Sequence, residues 1–355
     1  MTAGIAGQTV HLPSAVLAVA DEASSEIARF DAETGARLAP FGAILLRSES
    51  ASSSRIENLT SGAKAIALAE IGATQQRNAV EIVGNVHAMQ AAIDVRSDLD
   101  EALILTMHAA LMADQHAETP GQWRTQQVWI GGDNYGPHGA AFVPPHHDRV
   151  QTAIGDLMTF ARRDDIPVLA QAAIAHAQFE TIHPFTDGNG RTGRALIHSM
   201  LRKKGLTRAV TVPIAAGLLT DIDTYFSALT AYRAGDLTAI VQRVAEASFA
   251  AITNARQLVS HITEIRQQWD STIKARPQAL AWRVADLAMR LPVFDAYIAS
   301  RELDIPVSNV IRALAPITEA DVLTEFTGMR RNRMWQAHEI LDALDAFAFR
   351  AGGRI

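Results

Sequence analysis

The chain has 355 residues, a formal net charge of −6, 48% hydrophobic and 20% charged residues, and no cysteine. This is a globular balance with room for two or three domains; it excludes disulfides and thiolate-ligated metals, and its acidity argues against wholesale wrapping of nucleic acid. No apolar run reaches the roughly 18–20 residues that span a bilayer, and the start, MTAGIAGQTV, lacks the basic region of a signal peptide, so a cytoplasmic protein without a membrane partner is expected.

The predicted elements are mostly helical. Residues 14–37 read as an early helix, and 41–47 as a short apolar stretch entering the serine-rich run SESASSSRIENL. Helical periodicity predicts one helix over 63–95 and another over 99–113. The segment QWRTQQVWIGGDNYGPHGAAFVPP breaks that pattern. Val128, Trp129 and Ile130 favour strand, a Gly-Asp-Asn-Gly-Pro cluster follows, and Phe142-Val143 offers a partner, which predicts a hairpin flap. His138, His146 and His147 cluster loosely there, but intervening prolines and a missing acidic partner assign them to the flap rim rather than to zinc. Helices resume over 148–163, 167–182, 190–204, 222–232 and 237–268. Beyond Pro292 the spacing suggests helix–turn–helix, with Pro316 closing the second helix and two short strands around Thr327-Gly328, a winged-helix pattern. The expected division is 1–100, 101–270 and 271–355, the last including a linker helix.

The stretch HPFTDGNGRTGR, residues 183–194, carries chemistry. A glycine-rich turn at a helix N-terminus directs unpaired N–H groups at one spot, where the helix dipole also favours negative charge. Arg191 and Arg194 lie three apart on the following helix, and two guanidinium forks suit a polyphosphate. Asp187 would be repelled by phosphate unless a cation such as Mg²⁺ lay between them. His183 is placed to take a proton from an attacking hydroxyl, and Phe185 reads as an apolar anchor. Taken singly these are ordinary turn, cap and surface residues; their combination at a loop–helix junction points to an anion site.

The same residues match, at every specified position, the Fic family signature His-Pro-Phe-x-Asp/Glu-Gly-Asn-Gly-Arg-x-x-Arg, and the preceding AHAQFETI resembles that family's lead-in. The resemblance extends to RTQQVWIGG and FVPP as a target-binding flap, and to 292–355 as a winged-helix appendage. It implies a Fic-type helical core with a β-hairpin flap and a small α+β domain, transferring AMP from ATP to a Ser, Thr or Tyr hydroxyl of a target protein. In that reading His183 is the general base and Asp187 holds Mg²⁺. Amides around Gly188, Asn189 and Gly190, with the Asn189 side chain, form the anion hole. Arg191 takes the β-phosphate and Arg194 the γ-phosphate, and Thr192 and Gly193 between them are expected among the nucleotide-binding residues. Val128, Trp129, Ile130 and Gly131 would pair with an extended target segment, and Tyr225, with Arg233 further along its helix, would line the adenine side.

SSSRIENL then takes on a second meaning. Read locally, a serine caps a helix and Glu57 is its N-terminal acidic residue. Ser53, Glu57 and Asn58 also match the family's inhibitory-helix pattern, Ser/Thr-x-x-x-Glu-Gly/Asn, which implies that Glu57 pairs with Arg194 and displaces the γ-phosphate. Two other readings stay open: removal of AMP at the same site, with Glu57 orienting a water, and a nucleotide-sensing DNA-binding regulator. The latter would use residues 308–312 with Arg330, Arg331 and Arg333, although 292–355 holds seven arginines, no lysine and nine Asp/Glu. Homodimerisation is left open.

Overall fold

A computed structural model of the protein describes residues 3–36, 41–94, 98–115, 119–132, 136–328 and 332–352. Helix dominates, as the periodicity predicts. The first layer holds α1 (Ser14–Gly35), α2 (Phe41–Ile56), α3 (Ala63–Glu70), α4 (Arg77–Ile93) and α5 (Glu101–Met112). Two expectations change here. The helix expected over 63–95 is two, because Gly72 takes the left-handed conformation (φ 70°) and ends α3, with Ala73 N–H returning to the Leu68 carbonyl. The serine run does not cap a following helix. It forms the C-terminal half of α2, where small side chains let the helix bury Ser50, Ser52, Ser53 and Ser54 against its neighbours.

The centre is built from α6 (Val150–Ala161), α7 (Val168–Ile182), α8 (Asn189–Lys203), α9 (Ile214–Leu218), α10 (Ile222–Arg233) and α11 (Thr238–Thr272). The sequence reading gives no element for α9. The C-terminal region comprises α12 (Leu280–Arg290), β1 (Val293–Asp295), α13 (Ala296–Leu303), α14 (Val307–Glu319), β2 (Thr324–Glu325), β3 (Met334–Gln336) and α15 (His338–Arg350). Its three strands form an antiparallel sheet in the order β1-β3-β2, with Phe294 opposite Trp335. Pro316 does not close α14. It removes one donor, but Ala320 N–H still reaches the Pro316 carbonyl, and buried Ile317 holds the last turn down. Arg330 and Arg331 lie outside the described residues.

The 35-residue α11 is the axis. Its stripe from Ile240 to Trp269 is buried against α1, α7, α9, α10 and α15. α15 also packs on α2 and α3, so the C-terminal α+β region shares one contiguous apolar core with the helical body. Among the described residues no helix is long and apolar enough to cross a membrane.

Polar tethers fix helices the core alone would let slide. The buried Asp31 carboxylate of α1 accepts the N–H groups of Arg208, Ala209 and Val210 at 2.8–2.9 Å, pinning α1 to the segment after α8. Hydrogen bonds to a charged acceptor contribute roughly 1.5–3 kcal/mol, and three donors would be stranded together. Asp31→Ala is therefore expected to cost at least about 2 kcal/mol in urea unfolding; an unchanged midpoint would refute the tether.

Candidate active site

The site forms where α7 ends and α8 begins. α7 stops at His183, whose φ of 50° is left-handed, with its N–H on the Phe179 carbonyl at 2.8 Å. A non-glycine residue in this region is uncommon and needs support from its surroundings. That support comes from Arg124, a residue the sequence reading did not single out. Buried to 3% exposure, Arg124 donates through Nε to the His183 carbonyl at 2.8 Å, through its backbone N–H to the Pro184 carbonyl, and through the guanidinium to the carbonyls of Gln126 and Pro145. One side chain thus fastens the catalytic-loop candidate to the base of the flap.

Below the loop, Phe185 is fully buried, as an anchor should be. Its ring stacks on His108 with centroids 3.6 Å apart and on Trp123 at 5.2 Å. His108 Nδ1 accepts the Gly121 N–H, so its proton sits on Nε2, facing the Asp187 carbonyl at 3.2 Å. The Asn189 carboxamide corrects the expected role. Its Oδ1 accepts from Phe185 N–H and its Nδ2 donates to the Phe185 carbonyl, both at 2.9 Å, so the side chain shapes the loop instead of facing an anion.

The N-terminus of α8 leaves the amides of Asn189, Gly190 and Arg191 without helical acceptors. Arg191 is buried, with Nε and Nη1 unpartnered and its nearest carboxylates distant, Asp187 at 3.7 Å and Glu81 at 3.8 Å. An underused buried guanidinium beside free helix-end amides suits an anion. Asp187 is exposed at the lip of this site, one oxygen accepting the Gly188 N–H at 2.6 Å.

Arg194 is engaged. Its Nε donates to Ser53 Oγ, and its Nη2 to both the Ser53 carbonyl and Glu57 Oε1, each at 2.8 Å. Burial is the largest single influence and lowers the guanidinium pKa, but Glu57, Tyr225 and Glu180 together outweigh it and the net movement is upward. Glu57 follows the last turn of α2. Asn58 adopts φ 62°, its N–H bonds to the Arg55 carbonyl, and Leu59 N–H reaches the Ser54 carbonyl. This is a Schellman ending, and it explains why asparagine or glycine follows the glutamate. The carboxylate is carried onto α8 so closely that a Cβ on Gly190 would stand 2.0 Å from Glu57 Oε1.

Other residues lie elsewhere than expected. Tyr225 is buried beneath Arg194, stacked on His176 with its hydroxyl 2.8 Å from His176 Nε2, and so does not form an open wall. Thr192 is fully buried, and Gly193 faces inward, where its missing Cβ admits Glu180, Phe179 and His176 of α7. The flap is less regular than a hairpin. Ile130 and Phe142 form a single antiparallel bridge, Val128 and Trp129 are half-buried, and Gly131 is exposed. Pro144 and Pro145 have no N–H with which to extend the ladder, and Gln127 Nε2 occupies the Val128 and Pro144 carbonyls. Arg233 lies 4.0 Å from the Phe142 ring centroid, joining the flap to α10. Asp148 supplies the acidic neighbour that the histidines were thought to lack: His146, His147 and Asp148 place ligand atoms within 4.8 Å of one another at the surface.

Residues 98–201 match the family model described as Fic/DOC family. Over those residues the chain is similar to a Fic domain. It is 30% identical over 152 residues to protein adenylyltransferase fic-1 of Caenorhabditis elegans, covering 42% of this chain and 27% of that one. It is 35% identical over 109 residues to a probable protein adenylyltransferase of Aquifex aeolicus, covering 30% and 31%. The matches thus span about a third or less of these relatives. A Fic family protein from Desulfovibrio desulfuricans shares the fold over 93% of this chain and 97% of its own, at a TM-score of 0.60 and 21% identity.

Three buried imidazoles are held neutral around this site. Burial pushes His108 and His183 down to about 4 and His176 to about 3, from an ordinary 6.5. Lowered folded values mean that the unfolded chain binds more protons below 6.5, so their contribution is complete above that pH and lost as pH falls toward 4. The urea midpoint should therefore drop steadily between pH 6.5 and 4, with part of that slope removed in His108→Asn. A midpoint flat across this range would contradict the buried neutral rings.

Proposed function

We propose that the protein transfers AMP from ATP to a hydroxyl of a target protein, and that the arrangement described here is its restrained form. The observation that carries this reading is the Glu57 carboxylate lying on the N-terminus of α8 and paired with Arg194 at 2.8 Å. An acidic side chain occupies part of an anion site whose other arginine, Arg191, keeps two unpartnered nitrogens.

Each residue then has a role. The α8 amides and Arg191 would receive the β-phosphate oxygens, and Arg194, once released, the γ-phosphate. His183, neutral at physiological pH, would accept the proton of the target hydroxyl as that oxygen attacks the α-phosphorus and pyrophosphate departs. Asp187 fits a divalent cation: its carboxylate is exposed at the lip, where phosphate would otherwise repel it. Mg²⁺ held there would screen the phosphate charge. The flap main chain around Val128–Gly131, tied down by Arg124 and Arg233, would hold an extended target segment with little demand on its sequence.

Restraint follows from competition. While Glu57 holds Arg194, the triphosphate loses one guanidinium and meets a carboxylate. Couplings of this type are worth on the order of 1–3 kcal/mol. Glu57→Gly is therefore expected to raise transfer of labelled AMP roughly 5–150-fold, and adding His183→Ala to abolish it. Equal transfer by the wild type and Glu57→Gly would remove the inhibitory role.

A further inference from the structure

The proposed chemistry leaves a charge problem at His183. When its Nε2 takes a proton, an imidazolium forms in a place burial already disfavours, with Arg124 and Arg233 further opposing positive charge. Glu57 is the carboxylate that favours it, and Glu57 is what must leave Arg194 for the γ-phosphate to bind. In the active form phosphate charge takes the place of Glu57 beside Arg194, but His183 Nδ1, buried and unpartnered, still needs an acceptor of its own.

One turn back on α7 stands Glu180, buried at 6% exposure. Its Oε2 lies 3.8 Å from His183 Nδ1, too long for a hydrogen bond. His183 Nδ1 and Glu180 Oε1 are both buried without a well-formed hydrogen bond, although the Glu180 backbone carbonyl lies close enough to favour a protonated ring. Stranded buried polar atoms are costly and rare. Here a potential donor and an acceptor-rich carboxylate are stranded side by side. The space exists because Gly193 of α8 lacks a side chain: a Cβ there would stand 2.9 Å from Glu180 Oε1. Hydrogen bonds between catalytic groups are often long before substrate binds and tighten in the reacting complex.

We propose that Glu180 is a positioning residue for His183, accepting its Nδ1–H so that Nε2 presents a lone pair to the target hydroxyl, and carrying the negative charge that stabilises the imidazolium. This rests on the AMP-transfer reading. In the step itself the hydroxyl oxygen bonds to the α-phosphorus, its proton passes to His183 Nε2, and pyrophosphate leaves with the electrons of the broken P–O bond. Glu180 neither gains nor loses a proton; it receives a stronger hydrogen bond from Nδ1–H. This is the same division of labour as in a carboxylate–histidine pair that activates a serine.

The groups facing Glu180 set its own titration. Burial raises its pKa to about 7, Arg194 of α8 lowers it, Glu57 beyond α2 raises it, and Arg233 of α10 lowers it. His176 and Tyr225 complete the surroundings, the first neutral and the second with its pKa raised by burial. Around neutrality the wild-type carboxyl thus titrates, and losing Glu57 moves its ionisation downward. Since only the carboxylate assists, the rate should rise with pH through that ionisation.

The test compares full-length Glu57→Gly with Glu57→Gly/Glu180→Gln, using ATP and Mg²⁺ and measuring AMP transfer from pH 5 to 8. We expect kcat to fall roughly 10- to 1000-fold, KM for ATP to stay within about twofold, and the rise of kcat with pH to vanish. Glu180→Asp in the same background should keep that rise at reduced rate, which a packing role would not require. Independently of activity, ¹⁵N NMR of the histidines, assigned with His183→Ala, should show His183 protonated on Nδ1 and its pKa lowered further by Glu180→Gln. If Glu57→Gly transfers AMP and Glu180→Gln changes neither kcat nor its pH profile, the pairing is wrong and the transfer reading stands. If no variant transfers AMP, the transfer reading fails, and an unaltered His183 titration would then overturn the pairing as well.

Discussion

A guanidinium buried at 2% exposure must be neutralised, and that requirement at Arg194 organises the molecule. Removing one partner from a buried ion pair is strongly destabilising, because a charge is left without water or counter-ion. The chain meets this by bringing α2 against α8 at several levels. One turn of α2 supplies the Ser53 hydroxyl and carbonyl, and the residue after its last turn supplies the Glu57 carboxylate. Two turns earlier Glu49 faces His198 at 2.6 Å and accepts the Ala215 N–H, tying α2 to α8 and α9 together. Asn85 of α4 holds the opposite side through the Ser50 carbonyl and Ser54 Oγ. The serine-rich composition of α2 follows from this crowding: larger side chains would hold α4 and α8 apart.

The same requirement makes the site responsive. Arg194 needs an oxyanion, but not one from a particular source. Glu57 is about 40% exposed and held by one hydrogen bond from Arg194, so it is the exchangeable partner, whereas Ser53 is fully buried. A phosphate oxygen arriving over Gly190 would replace carboxylate charge with phosphate charge at nearly the same point. The free-energy difference between the two states is then small, which is what a switch needs. Glu180 and Arg124 complete this logic, one supplying counter-charge beneath His183 and the other fixing its backbone.

The legible parts of the sequence are those where local chemistry is compulsory. HPFTDGNGRTGR could be read because a glycine-rich helix N-terminus and two arginines suit an anion and the stretch matches a long family signature. The Glu57–Asn58 step, by contrast, was assigned by its resemblance to an inhibitory pattern alone: local chemistry pointed to an N-terminal cap, and the Schellman ending shows only in the fold. The long helices followed from periodicity. What escaped was set by distant partners. Arg124 acts on carbonyls at 126, 145 and 183, and nothing in its neighbourhood marks it. The amide of Asn189 serves Phe185 four residues back, which motif chemistry alone assigns to an anion. Tyr225 is drawn inward by His176, and the flap ladder stops at Pro144, whose missing donor mattered more than the strand propensity of Val128–Ile130. The break at Gly72 was a local signal outweighed by the alanine-rich periodicity on both sides.

The central claim is that Glu57 and the γ-phosphate compete for Arg194. Equilibrium binding of ATP and ADP to the wild type and to Glu57→Gly, at fixed Mg²⁺ and ionic strength, isolates that contest, because the two nucleotides differ only in the γ-phosphate. The account predicts nearly equal affinities for ATP and ADP in the wild type and a clear preference for ATP once Glu57 is removed. An ATP-to-ADP affinity ratio that is the same in both proteins would contradict it.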